Sequence, residues 1–185
     1  GVENFNYFNY IEKLNSFSSS FTQYTYNEKG SLVKESNGAL LYKKKSKYIL
    51  EYLSPNKIKF ISDGALVTTL DIDLDQAIIQ STNNKAKNNF FEIMTNKDEI
   101  NKKFILKSYL YNNDNYVKFV PKNKELENNI FLLIIKDSKI KKITFMNDFD
   151  QSVTMVFSDF KVNLDVLDSS FKIDIPENFD VIIDK

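Results

Sequence analysis

The first apolar pattern in the chain has helical spacing. In ENFNYFNYIEKLNS, residues 3–16, the apolar positions recur every third residue at Phe5, Phe8, Ile11 and Leu14, with Tyr7 beside them. Side chains three to four residues apart share one stripe of a helix. We therefore predict an N-terminal helix over residues 3–16.

The next segment, FSSSFTQYTY, has a different composition. It is rich in aromatic and hydroxyl side chains and lacks good helix formers, which favours a strand. Alternate residues of a strand share a face, so one face would carry Phe17, Ser19, Phe21 and Gln23. The following NEKG, residues 27–30, predicts a turn.

From that turn onward, short extended segments alternate with polar turns. The predicted strands are SLVKESNGALLYKKK, KYILEYL, KIKFIS, ALVTTLDIDL, FILKSYLY, NYVKFV, NIFLLIIKD, KIKKITFMN, SVTMVFSDFKV and a terminal FKIDI. NNFFEIMTNKDEINKKF, residues 88–104, predicts two short helices that break near Thr95 and Asn96. This rhythm is typical of an antiparallel sheet of hairpins, and we expect a single domain over residues 1–185.

Several predicted strands are apolar on both faces. In KYILEYL, Tyr48, Leu50 and Tyr52 alternate with Ile49 and Leu53, and NIFLLIIKD is apolar almost throughout. In an antiparallel sheet this pattern predicts that both faces are covered. One face could pack on helices, while the other could enclose a cavity or complete a core, and the pattern does not decide between these.

Composition narrows the classes of function. The chain has 25 basic and 25 acidic residues, which argues against nucleic acid as the main partner. Cysteine and histidine are absent, so thiolate and imidazole chemistry is excluded, and four glycines cannot build a phosphate-binding loop. No catalytic constellation can be assembled, so we predict a protein that is not an enzyme and has no cofactor or metal.

Two charge clusters have alternative interpretations. Asp71, Asp73 and Asp75 resemble the start of an EF-hand loop, but the later glycine and glutamate ligands are missing, which favours a solvated strand end. Lys43, Lys44, Lys45 and Lys47 could contact phospholipid headgroups or an acidic partner. Such a run is more often a solvated edge that resists aggregation.

Several motifs, taken in order, resemble one family. They are SFSSSFTQ (16–23), GALLYKKKSKYILEYLSP (38–55), FISDG (60–64), LDIDLDQA (70–77), YVKFVPK (116–122) and FKIDIPENFDVI (171–182). Together they resemble the LolA family of periplasmic outer-membrane lipoprotein carriers across nearly the whole chain.

The resemblance implies a mainly β (α+β) fold: a strongly curved, incomplete antiparallel β-barrel lidded by the N-terminal helix and short central helices. It also implies a role. The protein would accept acylated lipoproteins from the inner-membrane transporter LolCDE, carry them through the periplasm as a monomer and deliver them to the outer-membrane receptor LolB. A signal peptide would have been removed from the chain.

The same resemblance implies which residues would form the site. The residues predicted to line a lipid cavity are Phe17, Phe21, Leu40, Tyr42, Tyr48, Leu50, Tyr52, Phe60, Phe90, Ile93 and Met94. Lys44 stands where family members typically have an arginine that reaches towards the lid, and Tyr48 and Leu50 stand where phenylalanine and tryptophan are usual. Lysine lacks the donor fork of arginine, so a latch at Lys44 would be weaker or differently made.

Three alternative functions stay open at this point, the last of them a carboxylate-based hydrolase. The first is a relative of the same fold, either a LolB-like receptor or a carrier of glycolipids or other lipids. A receptor would have an acylated N-terminal cysteine; residues 1–185 contain no cysteine, and a cysteine upstream of Gly1 in the precursor would indicate a receptor. The second, from another class, is a structural or protein-binding module with a solid core.

Overall fold

The computed structural model describes residues 5–81 and 96–184. The helices are α1 (Tyr7–Lys13) and α2 (Lys97–Lys103), and short 3-10 helices cover Lys124–Leu126 and Asp168–Phe171. The strands are β1 (Ser16–Tyr26), β2 (Leu32–Lys43), β3 (Lys47–Ser54), β4 (Ile58–Asp63), β5 (Leu66–Asp71), β6 (Gln76–Ser81), β7 (Phe104–Tyr111), β8 (Asp114–Pro121), β9 (Phe131–Lys136), β10 (Lys139–Met146), β11 (Ser152–Val162) and β12 (Asp180–Asp184).

All of these strands belong to one curved sheet. Their order is β12-β6-β5-β4-β3-β2-β1-β11-β10-β9-β8-β7, and the sheet is not closed into a barrel. Neighbouring strands are antiparallel, except that β12 runs parallel to β6. The predicted class, a mainly β fold with an incomplete antiparallel barrel, is confirmed.

The main hydrophobic core lies on the inner face of this sheet. On β1 the buried positions alternate as predicted, and the same face continues through Val117 and Phe119 of β8 and Leu133 of β9, all of which are fully buried. Helix α1 covers this face with Tyr7 and Ile11. The core is therefore a layer of rings and aliphatic side chains between the sheet and α1.

The described helices are shorter than the periodicity predicts. Helix α1 begins after Asn6, whose side chain accepts a hydrogen bond from the backbone of Asn9, and ends before Leu14, where the chain turns into β1. The predicted break near Thr95 and Asn96 agrees with α2, which Asn96 caps; the preceding helical piece lies outside the described residues. No helix in the described ranges combines the length and apolarity needed to cross a membrane.

The outer face has a second, smaller cluster on β4–β6. Ile61, Leu70 and Ala77 are buried there beneath a C-terminal segment that contributes Ile173, Ile175 and Phe179. The predicted strand FKIDI is therefore wrong: Phe171 ends a 3-10 helix, and the residues after it lie across the outer face. The last strand is β12 instead, because residues 180–184 pair with the free edge of β6.

The acidic segment after β5 also differs from its prediction. Strand β5 ends at Asp71, and residues 72–75 form a turn instead of continuing a strand with three aspartates on one face. The turn forms because Asp71 Oδ1 accepts a hydrogen bond from Leu74 N, and Asp73 Oδ2 accepts one from Lys57 N. The prediction of a solvated strand end is confirmed, since residues 72–75 are exposed.

The two strands predicted to be covered on both faces behave differently. On β3, Ile49 packs against the outer cluster, which confirms the prediction for that residue, whereas Leu53 is 48% exposed, so the prediction is wrong for Leu53. On β9, Leu133 is buried inside while Leu132 and Ile134 on the other face remain half-exposed, so the prediction is wrong there. The C-terminal segment covers the outer face of β4–β6 and does not extend to β9.

Candidate functional site

The inner face of β1 is built from aromatic rings. Phe17 and Phe21 are buried there, as is Ser19 between them. The Phe17 ring stacks on Phe160 with 4.7 Å between centroids and lies 5.2 Å from the Tyr42 ring. Both rings of β1 thus lie on the covered side of the sheet, which is the face the alternation assigned to them.

Strands β2, β3 and β4 continue this face through cross-strand pairs. Tyr42 lies opposite Tyr48, and Leu40 lies opposite Leu50, which in turn lies opposite Phe60. The predicted residues that the structure brings together on this face are Phe17, Phe21, Leu40, Tyr42, Tyr48, Leu50, Tyr52 and Phe60. The other three, Phe90, Ile93 and Met94, lie outside the described residues.

The depth of burial changes along this face. Leu40 and Tyr42 are almost completely buried, whereas side chains further along the sheet stay half-buried. These half-buried residues share the inner face of β3–β6, and we name them the half-buried strip: Leu50, Tyr52, Ile58, Phe60, Val67 and Ile78. The strip is apolar surface that is partly exposed in the described part of the chain.

A glycine makes room for the rings beside this strip. A Cβ atom at Gly38 would lie 1.9 Å from the Glu51 carbonyl oxygen and 2.8 Å from Cζ of Phe21. Because Gly38 has no side chain, the Phe21 ring can approach Tyr52 edge-on, with 5.3 Å between centroids. The position therefore requires glycine for a steric reason.

A polar pair lies within the apolar strip. Tyr52 Oη donates a hydrogen bond of 2.6 Å to Gln23 Oε1, and burial raises the pKa of Tyr52 to about 12. Burial also raises the pKa of Tyr42 on the same face. These phenols therefore remain protonated at neutral pH, so the site presents an apolar surface with neutral hydroxyl groups.

Helix α1 is held over the inner face by contacts at two places. The Tyr7 ring meets Phe119 edge-on at 5.1 Å, and Ile11 is buried one turn later. Tyr10 Oη donates a 2.9 Å hydrogen bond to Ser138 O in the β9–β10 turn. The helix thus rests on apolar contacts, and the Tyr10 hydroxyl ties it to the β9–β10 turn.

The C-terminal end of α1 is fastened where β2 and β11 end. Lys44 Nζ donates to the Glu12 carbonyl oxygen, and Lys44 N donates to Asn15 O at 2.9 Å. Asn163 accepts from Asn15 N at 2.8 Å and donates to Lys13 O at 3.2 Å. A cation and an amide donor at these last carbonyls complement the negative end of the helix dipole.

Sequence reasoning singled out Lys44 but missed Asn163 and Tyr10. Asn163 adopts a positive φ of 55° directly after β11, a conformation that asparagine tolerates well. That local signal predicts a turn and gives no information on which distant segment the side chain meets. Tyr10 belongs to the helix that its neighbours predicted, but its partner Ser138 is 128 residues away.

Two other lysines of the run, Lys43 and Lys47, form polar contacts within the chain. Lys43 Nζ donates to Val166 O at 2.6 Å and lies 2.8 Å from Asp168, while Lys47 lies 3.9 Å from the same carboxylate. The hydrogen bond from Lys43 lowers the pKa of Asp168. The C-terminal segment thus bonds two lysines of the run, and of the four lysines Lys45 is the exposed one while the others are half-buried.

The outer face holds an open groove of about 420 Å³ that is separate from the inner face. Its lining includes Ser18, Ser20, Ala39, Leu41, Ile49 and Glu51, with Asp159 and Lys161 at one side. Among the described residues, no cluster of three or more acidic side chains could hold a metal ion. The inner face is the candidate site because it brings together the described residues predicted to line a lipid cavity.

Fold and geometry together define a class of protein: an open, curved β-sheet whose apolar inner face lies under a helix. The family model described as "Outer membrane lipoprotein carrier protein LolA" matches residues 12–174. The chain therefore belongs to the LolA family of outer-membrane lipoprotein carrier proteins.

Individual relatives agree with this assignment. An outer-membrane lipoprotein carrier protein of Francisella philomiragia is 29% identical over 177 residues, covering 94% of this chain and 85% of the relative. One from Pseudomonas putida is 25% identical over 173 residues, covering 93% and 84%.

Solved structures share the fold at low identity. An uncharacterized conserved protein of Thermus thermophilus has a TM-score of 0.59 at 10% identity, covering 96% of this chain and 97% of that protein. The MucA/MucB complex of Pseudomonas aeruginosa has a TM-score of 0.51 at 10% identity, covering 91% and 60%. At these identities the likeness concerns the fold.

Replacing Gly38 tests the steric account of the inner face. We expect Gly38→Ala to lower the free energy of unfolding by about 1–3 kcal/mol, because the added methyl group must displace backbone or the Phe21 ring. The exposed neighbour Asn37 is the control, and Asn37→Ala should change stability by less than about 0.5 kcal/mol. Urea denaturation measures both, and equal stabilities would contradict the account.

Buried tyrosines predict loss of stability in alkali. Burial raises the pKa of Tyr7, Tyr10, Tyr42 and Tyr52 in the folded protein, whereas in the unfolded chain they ionise near the model-compound value of 10.0. Above that pH the unfolded state binds fewer protons, so stability falls as pH rises towards 12. Tyr52→Phe should reduce the slope, measured by denaturation across this range with tyrosinate absorbance followed in parallel.

If all ten tyrosines titrated together near pH 10 while the protein stayed folded, the burial of these hydroxyls would be refuted.

Proposed function

We propose that the protein binds the acyl chains of lipoproteins against its inner face and carries them through the periplasm. The source would be an inner-membrane transporter of the LolCDE type and the destination an outer-membrane receptor of the LolB type. Family membership over residues 12–174 supports this, and the apolar inner face under α1 is the observation that carries it.

The chemistry of the cargo makes such a surface necessary. Each methylene group of an acyl chain gains about 0.8 kcal/mol when it leaves water for an apolar environment. A multiply acylated anchor therefore leaves a membrane only if another apolar enclosure receives it. A sheet face lined by rings and aliphatic side chains supplies this environment without directional bonds, so it accepts chains of different length.

The proposed binding surface is unevenly covered, which suggests an order of events. The deep part around Phe17 and Tyr42 is filled by the chain's own side chains, so it offers no space while α1 is seated. The half-buried strip is the apolar surface an acyl chain would meet first. Movement of α1 would then open the deep part, with the predicted residues Phe90, Ile93 and Met94 completing the lining.

The same observations favour binding over catalysis. The Tyr42 and Tyr52 hydroxyl groups on this face are neutral, and the Tyr52 hydroxyl is engaged by Gln23. A carrier of this kind needs no cofactor and no nucleotide, so release must be downhill to the receptor. We propose that it acts as a monomer.

Lys44 is the proposed lid latch. Its ammonium group contacts the Glu12 carbonyl at the end of α1, and its backbone N–H fixes the following loop through Asn15. Helix opening would have to break this contact together with the Tyr10 hydrogen bond to Ser138. An arginine at this position, with its fork of donors, would hold the helix more firmly.

The first test is complex formation with an acylated cargo. Native mass spectrometry of the protein, co-expressed with a triacylated lipoprotein, should show a one-to-one complex that is absent when the acylated cysteine of the cargo is replaced. Leu50→Gln, on the half-buried strip, should reduce the complex about tenfold, since burying an amide side chain there costs more than 1 kcal/mol.

Val156→Gln is the matched control, because Val156 is apolar and 39% exposed but lies on the outer face. It should leave the complex unchanged. A complex that formed equally well without acylation would refute the proposal, and bound free lipid in place of lipoprotein would support a lipid carrier of the same fold.

A second test addresses the latch. Lys44→Met should speed hydrogen exchange of the α1 amides about fivefold, because a charge-assisted hydrogen bond at a partly exposed site contributes about 1 kcal/mol. Lys44→Arg should restore or exceed the protection of the original residue. Lys45→Met, at the exposed neighbour, is the control and should leave α1 unchanged. Unchanged exchange in Lys44→Met would remove Lys44 from the mechanism.

A further inference from the structure

The outer face of β7–β10 concentrates positive charge in a chain whose total charge is zero. These four strands contain six lysines and a single carboxylate, Asp114. Asp114 is paired with Lys141 at 3.2 Å. The remaining lysines, which form what we name the basic face, are Lys107, Lys118, Lys136, Lys139 and Lys142.

The basic face contains two cross-strand pairs of lysines whose like charges repel each other. Lys107 lies directly opposite Lys118 across the β7–β8 pair, and Lys136 lies opposite Lys139 across the β9–β10 pair. Like charges directly opposite each other on a sheet are destabilising. Two such pairs on neighbouring strands leave a cost that a bound anionic surface would relieve.

Aromatic and aliphatic side chains lie among these lysines. Tyr109, which is 51% exposed, stacks on Tyr116 with 5.0 Å between ring centroids. Tyr116 lies opposite Ile134, which lies opposite Lys142. Tyrosine has an apolar ring and a polar tip, and lysine has an apolar stem and a charged head, so both are suited to a membrane–water interface.

We infer that the basic face binds the surface of a membrane containing anionic phospholipids. The lysines are spread over a broad sheet face and do not converge on one point, and the described groove lies elsewhere, around Ser18 and Ala39. Such a layout fits dispersed headgroups better than a single anionic ligand or a narrow acidic peptide. Membrane binding itself does not depend on the proposed function. Its biological use does rest on that function, because the basic face would bring the carrier to the membrane that holds its cargo.

The test measures flotation of the purified protein with vesicles of phosphatidylcholine, with and without phosphatidylglycerol. We expect binding only to the anionic vesicles, and loss of binding at about 1 M salt, where the Debye length is about 3 Å. The triple variant K107Q/K118Q/K142Q should bind roughly a hundredfold more weakly, since each lysine near an anionic surface contributes about fivefold. The matched control is K29Q/K34Q/K57Q, which changes the net charge equally on another part of the molecule and should bind as the original protein does.

Other outcomes would overturn the inference. Equal binding to neutral vesicles, equal loss in the control variant, or no vesicle binding at all would do so. If the basic face bound an acidic protein and no vesicles, the partner would be that protein and not a lipid surface, and the inference would fail. Thermal melts of both triple variants show whether the fold is intact, and removal of the Lys107–Lys118 like-charge pair should not lower the melting temperature.

Complex formation with a detergent-dispersed acylated lipoprotein separates this inference from the proposed function. If the triple variant retains cargo and loses vesicle binding, both stand. If the original protein binds cargo but no vesicles, the inference alone fails. If it binds anionic vesicles but no acylated cargo, the proposed function fails and the membrane-binding face remains.

Discussion

The pairing of β1 with both β2 and β11 is the constraint on which the rest of the structure depends. Phe17 lies opposite Tyr42 on one side and Val162 on the other, so β1 joins the two ends of the chain at the centre of the sheet. A slip of one residue would turn its rings to the outer face. The same register brings Asn163, directly after β11, to the end of α1.

The two parts of the sheet bury their apolar side chains on opposite faces. Along β8 and β9 the inner face is filled beneath α1 and the outer face meets solvent. Along β4–β6 the C-terminal segment covers the outer face with Ile173, Ile175 and Phe179, while the inner face stays half-buried. Burial on the outside thus stabilises strands whose inner side chains stay half-buried. This arrangement suits the proposed binding of acyl chains, because a binding surface cannot also be the only source of stability.

Charged residues, like buried apolar residues, are distributed unevenly over the sheet. The composition is neutral, yet β7–β10 collect lysines on one face while aspartates accumulate in turns such as Asp73 and Asp75. Net charge alone therefore says little about local electrostatics, since the fold decides which residues become neighbours. The lysine run beside Lys44 illustrates the reverse case, because Lys43 and Lys47 are engaged by Asp168.

Local patterns in the sequence determined most of the strands, the alternation that buries Phe17 and Phe21, and the ordered motifs of the family. These signals are readable because side-chain alternation is a local property of a strand. The tertiary structure alone decided that residues 171–175 leave the sheet, that β12 pairs with β6, and that Lys44 and Asn163 meet α1. Such contacts join segments as much as 150 residues apart, and no periodicity specifies which distant carbonyl a lysine or asparagine will reach.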